Sequence, residues 1–164
     1  MNITAVHVLQ DTSQVATPRR VTIQLAERLG FSEARAGQAA LLVSELATSL
    51  AKHAKKGELL LRPIGHGDGA NGSTDADGIE ILAIDSGPGM PDVALARRDG
   101  YSTTGTLGHG LGSIERQSDF FQIYTQPSGT VIVARLWRDR PSRTPRQSRY
   151  EIGAVHVSYP GEDI

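Results

Sequence analysis

The chain has 164 residues and a mass of 17.5 kDa, room for one ordinary domain with a short tail. With 38% hydrophobic and 21% charged residues it can build a packed core, and 17 basic against 18 acidic side chains lack the basic excess of a generic nucleic-acid binder. The absence of Cys excludes disulfide scaffolds, thiol catalysis and Cys-ligated metal sites, and no apolar run nears the ~20 residues that span a bilayer.

The opening MNITAVHVLQ has neither a basic start nor a long apolar stretch, so a cytoplasmic protein without a membrane segment is expected. Residues Ile3 to Leu9 alternate in polarity and predict a strand. Thr17 followed by Pro18 reads as an N-cap and first helical residue. Val21, Leu25 and Leu29 then recur every four residues, and Gly30 supplies a stop. Ser32 is placed to cap a longer helix to about Lys55, with Ala39, Leu42, Val43, Leu46 and Leu50 on its apolar face and Gly57 ending it.

Two strand-like runs follow, Glu58 to Ile64 and Ile79 to Asp85. The Gly- and Asp-rich stretch between them predicts a long hairpin connection. Its DADG start fails as a calcium loop, because Ser86 stands where the bidentate Glu is required. A Gly/Ser/Thr-rich region then runs to Gly112. Next come a short helix from about Leu111 to Asp119 and the strands Phe120 to Thr125 and Thr130 to Trp137, around a turn at Pro127-Ser128-Gly129. Adjacent strands joined by turns predict an α+β sandwich and not a doubly wound parallel sheet.

The segment Arg138 to Arg149 carries five Arg and one Asp, a local +4, so the rest of the chain sums to −5. Its Pro, Ser and Thr make it a linker. The expected division is a domain over 1–137, a linker over 138–149, and a tail or the start of a following domain over 150–164.

Three constellations carry chemistry. On the long helix, Glu45, Ser49 and His53 are four residues apart and share one face beside the apolar stripe. Asp85-Ser86-Gly87-Pro88-Gly89-Met90 puts a carboxylate at a strand end, where two glycines let the backbone turn sharply. Such a carboxylate can accept from an exocyclic amine, or can simply bond its own turn. Gly108-His109-Gly110-Leu111-Gly112 spaces glycines immediately before a helix, so backbone N–H groups can converge on phosphate oxygens. The P-loop pattern fails there, because Leu111 and Gly112 stand where Lys and Ser/Thr belong.

Together these motifs, closed by Gly129-Thr130 before the last strand, resemble the Bergerat (GHKL) ATP-binding fold of gyrase, Hsp90, histidine kinases and MutL. The stretches SELATSLAKHAKKGELLL and GYSTTGTLGHGLGSIERQSDFFQIYTQPSGT are most similar to the bacterial anti-sigma-factor serine kinases. The resemblance implies a two-layer sandwich, with a mixed, mostly antiparallel sheet covered on one face by about three helices. It implies ATP or ADP with Mg²⁺ as ligands. Asp85 would take the adenine amine, with Gly87, Gly89 and Met90 lining the base pocket and Thr130 near it. Ser102, Thr103 and Thr104 would lie in a lid over Pro91 to Leu107. Gly108, His109, Gly110, Leu111 and Gly112 would wrap the phosphates, and Glu45 would be the general base.

One residue departs from that pattern: Ser49 stands where the family has its Mg²⁺-ligating Asn, which puts phosphate transfer in doubt. The resemblance also implies a STAS-type anti-sigma antagonist or other switch protein as partner, and homodimers are common among such relatives. The tail from Tyr150 to Ile164 is similar to the opening of a stage-II-sporulation-E type phosphatase domain. The alternative to a kinase is therefore a nucleotide-sensing switch controlling an attached or associated serine phosphatase.

Overall fold

A computed structural model describes residues 4–54, 56–65, 76–97 and 111–140. Five strands form one sheet: β1 (Ala5–Leu9), β2 (Gly57–Ile64), β3 (Gly78–Asp85), β4 (Phe120–Gln126) and β5 (Gly129–Trp137). Their order is β1-β2-β3-β5-β4, and all four pairings are antiparallel. Helices α1 (Ala16–Arg28), α2 (Glu33–His53) and α4 (Leu111–Gln117) send their apolar residues into the same core, with a single turn, α3 (Val93–Ala96), before α4.

The core follows from period-2 strands meeting a period-3.6 helix. Leu42, Val43, Leu46 and Leu50 of α2 are buried against the inward residues of the sheet: Leu59 and Leu61 of β2, Ile79, Ile81 and Ala83 of β3, and Ile132, Ala134 and Leu136 of β5. Register aligns these in rows across the strands. Leu61 pairs with Ile81, Ile81 with Ala134 and Ala134 with Phe121. One row on, Leu59 pairs with Ala83, Ala83 with Ile132 and Ile132 with Ile123.

The first helix starts differently from the expectation. Asp11 caps a 3-10 turn, Thr12–Val15, in a capping box with Gln14, and α1 continues from it at Ala16. Pro18 is thus the third helical residue, where its missing N–H is still one of the unpaired four. Thr22 Oγ1 bonds the Pro18 carbonyl at 2.8 Å. Ser32 does cap α2, accepting from the Arg35 N–H.

Gly57 is not the stop of α2. His53 is the last helical residue, Ala54 turns extended, and Gly57 opens β2. A Cβ there would press on Leu50, Ala54 and the Leu9 carbonyl at 3.0–3.2 Å. The last helix ends at Gln117, because Asp119 is used elsewhere. Its side chain, 2% exposed, pairs with Arg35 at the start of α2 and accepts the Trp137 N–H at 2.9 Å. Arg35 also donates to the Trp137 carbonyl at 3.0 Å, so this cluster ties α2 to the end of β5.

Candidate functional site

The site grows from the ends of β3 and of the β4–β5 hairpin, on the helix-covered side of the sheet. Asp85 pairs with Thr130, and Thr130 with Thr125, so the three continue the inward alternation past the last apolar row. Alternation that buries Ile81 and Ala83 therefore puts a carboxylate and two hydroxyls at the core's edge. Thr130 is buried, and its Oγ1 lies 3.0 Å from that of Thr125. Thr125 Oγ1 also accepts the Met90 N–H at 2.8 Å, which fastens the segment after β3 to the hairpin.

Close backbone approaches shape the turn. Gly89 has φ of 72° and sits against the Gln126 carbonyl, where a Cβ would collide with the oxygen. Gly129 likewise lies under the Asp85 carbonyl with no room for a Cβ. The Gly87 N–H donates to Asp85 Oδ1 at 2.6 Å. Of the two readings of Asp85, the structure shows the local one, in which Oδ1 closes the carboxylate's own turn. A Cβ on Gly87 would stand 3.8 Å from the His53 carbonyl, so the last turn of α2 abuts this loop.

Asp85, Gly87, Gly89, Met90 and Thr130 are thus brought together. Glu45 and Ser49 lie two turns and one turn back from His53 along α2, the first half-buried and the second exposed. At 1.5 Å per residue, the row from Glu45 to His53 is about 12 Å long. Leu111 and Gly112 open α4, both buried, and α2 packs on α4. Gly112 lies against the Arg97 carbonyl with no room for a Cβ, and Arg97 Nε is 3.3 Å from a Glu115 carboxylate oxygen, so the end of α3 rests on α4. Ser102, Thr103, Thr104, Gly108, His109 and Gly110 lie outside the described residues.

Sequence reasoning missed α3 and Thr125. Thr125 does carry a signal: it is two residues past Ile123 on the same strand face, just before a two-residue turn that puts it opposite Thr130. Among the described residues, no helix is long and apolar enough to cross a membrane.

A profile of the histidine kinase-like ATPase domain matches residues 8–136. The serine/threonine-protein kinase RsbT of Bacillus subtilis (strain 168) is 31% identical over 124 residues, which cover 75% of this chain and 88% of the relative. The matched span begins within β1, stops one residue short of the end of β5 and contains every described site residue. An antiparallel sheet with helices on one face, a carboxylate at the end of β3 and that match agree: the chain belongs to the family of histidine kinase-like ATPase domains, with the Bergerat-type ATP-binding fold.

Proposed function

We propose that this chain is an ATP-binding regulatory domain of a bacterial partner-switching pathway, which phosphorylates or docks a STAS-type partner. The observation that carries the nucleotide reading is Asp85. Its Oδ1 is held by the Gly87 N–H, its backbone packs under Gly129, and Thr130 and Thr125 stand beside it. An ionised carboxylate accepts and does not donate, so it selects a base edge that presents an amine. Adenine has one. The chain's own residues fit that group, because three glycines keep the turn free of side chains that would fill the space.

At the other end of the ligand, Leu111 and Gly112 would approach the phosphates through the first turn of α4, together with Gly108, His109 and Gly110. Ser102, Thr103 and Thr104 would contact them from the lid. Ser49 would face the Mg²⁺, which supplies charge neutralisation when bound. Glu45 would hold the proton of the attacking hydroxyl at its carboxylate, since phosphoryl transfer asks chiefly for positioning and neutralised charge.

A second reading is supported by Ser49. Its hydroxyl is shorter than an Asn amide by about one bond, and Mg²⁺ demands octahedral ligands at about 2.0–2.1 Å. A domain that binds nucleotide and docks a partner without transferring phosphate fits that shortfall. It would act as a sensor for a serine phosphatase, attached or associated. Calorimetric titration of ATP with and without Mg²⁺, on this chain and on Ser49→Asn, tests both. Mg²⁺-dependent binding by the unmodified chain, with phosphate appearing on a STAS-type partner and lost in Glu45→Gln, supports the kinase. Metal-indifferent binding that becomes metal-dependent in Ser49→Asn supports the sensor. No binding by either form overturns the nucleotide reading.

A further inference from the structure

The first strand and the tail of the chain share a sequence. Ile3-Thr4-Ala5-Val6-His7-Val8 recurs as Ile152-Gly153-Ala154-Val155-His156-Val157, with five of six positions identical. The chain has five His, and two of them stand at the same place in these copies. The first copy holds β1, an end strand of the sheet that pairs with β2. The second lies outside the described residues.

The place that β1 fills is specified position by position. Ala5, His7 and Leu9 face the core, and Leu9 is 2% exposed. Val6 and Val8 face away, 56% and 52% exposed. Laid on β1 in the same register, the second copy puts Ala154 and His156 inward and Val155 and Val157 outward, each on an identical residue. One inward position differs: Ser158 falls where Leu9 is buried. Such a pattern fixes the register, because a slip of one residue turns every side chain to the other face.

Direction agrees as well. Every pairing in the order β1-β2-β3-β5 is antiparallel, so β5 ends where β1 begins. Trp137 is level with Gly78 and Gly78 with Ile64, three residues from the Leu61 that faces Ala5. A chain that leaves Trp137 and turns back therefore runs in the direction of β1. Beside β2 that run is antiparallel. Beside the outer edges of β1 or β4 it would be parallel, the weaker pairing. Three strand spacings of about 4.8 Å, roughly 14 Å in all, separate β5 from the place of β1. Residues 138–151 reach about 45 Å when extended.

We propose that the outer edge of β2 is a strand-binding site with two occupants from one chain: β1, and residues 152–158 in exchange for it. β1 is the resident. Burying Leu in place of Ser favours it by a factor of roughly 10 to 150, and the capping box of Asp11 and Gln14 fastens its end. The one inward difference falls beside the candidate site. Leu9 faces Gly57, which packs against Leu50 and Ala54 at the end of α2. Exchange puts the smaller Ser158 there and loosens the end of α2, which abuts the Asp85 turn. The segment that follows the domain is thereby coupled to the candidate site. The exchange itself needs no nucleotide.

Paired thiols in the full chain test the exchange, and the chain has no native Cys to interfere. Val8 stands opposite Glu58 on the outward face, and facing positions of an antiparallel pair lie within disulfide reach. Val8→Cys/Glu58→Cys reports β1, and Val157→Cys/Glu58→Cys reports the tail. Both are oxidised mildly in dilute solution, and the bond is followed on non-reducing gels and by peptide mass mapping. Adding Ser158→Leu supplies the missing inward side chain without touching the described domain. It is expected to raise the rate of the 157–58 bond by about 10-fold or more. Val155→Cys/Glu58→Cys, two residues out of register, is expected to stay slow in the same background. Once the 157–58 bond is closed, the β1 amides are expected to exchange freely with deuterium. No bond at residue 157 while Val8→Cys/Glu58→Cys closes overturns the proposal. So does a rate that Ser158→Leu leaves unchanged, or equal bonding from residues 155 and 157. Bonds that join two chains, or β1 amides still protected beside a closed bond, overturn it too.

Discussion

Asp85→Asn isolates the hydrogen bond that the base-recognition reading requires. The Gly87 N–H needs an acceptor, and the Asn carbonyl oxygen supplies one at the place of Oδ1, so the turn is kept. The second oxygen becomes an amide that donates, and it now meets a donor on adenine. A hydrogen bond to a charged group contributes about 1.5–3 kcal/mol, which corresponds to a roughly 10- to 150-fold loss of ATP affinity. Inosine triphosphate presents an acceptor where ATP presents its amine. It is expected to bind the native chain poorly and Asp85→Asn better. Paired titrations of both nucleotides read this reversal directly. Equal losses on the two, or an unchanged ATP affinity in a folded variant, would refute the reasoning, because then Oδ2 does not read the base edge.

Three further outcomes follow from the packing. Gly89→Ala forces a side chain into a φ of 72° and against the Gln126 carbonyl; a loss of roughly 2–4 kcal/mol is expected by chemical denaturation. Asp119→Ala leaves the Arg35 guanidinium buried without its carboxylate and is expected to cost about 3–5 kcal/mol, whereas Arg138→Ala, on the exposed side of the same corner, stays within about 0.5 kcal/mol. His7 sits among apolar residues of β1, its Nε2 shut off from solvent without a partner, and burial lowers its pKa from the ordinary 6.5. The unfolded chain therefore takes up the proton first as pH falls. Stability is full above about 6.5 and declines below it toward the lowered folded value, and His7→Gln flattens that slope in urea titrations at successive pH values.

Glu80 adds a second decline at lower pH. Burial raises its carboxyl, but the hydrogen bonds and charges of Arg62 and Arg135 outweigh that, so its pKa lies below the ordinary 4.5. Its contribution is present above 4.5 and is lost as pH falls through the lowered folded value. His7→Gln leaves this second phase in place, which separates the two groups.

The local periods in the amino-acid sequence were sufficient for most of the elements. The four-residue recurrence from Ala39 to Leu50 marked α2 and its buried face, and alternation marked β2, β3 and β5 to within a residue or two. The D-x-G-x-G turn stood out because its chemistry is local: a carboxylate, then glycines where the backbone must turn and come close. What surrounds that turn is not local. Thr125 joins Asp85 only through the register of two separate strand pairs, and Gly57 reads as a helix stop until β1 and α2 are seen to crowd it. Asp119 looks like the end of a short helix, yet a contact 84 residues away with Arg35 decides its role. The same holds for the sheet's two faces. Alternation tells which residues share a side, but Val6 and Val8 could as well have been core. Only the packing of α1, α2 and α4 on the opposite side left them in the open, because a sheet's buried face is chosen by what stacks on it and not by the strand itself.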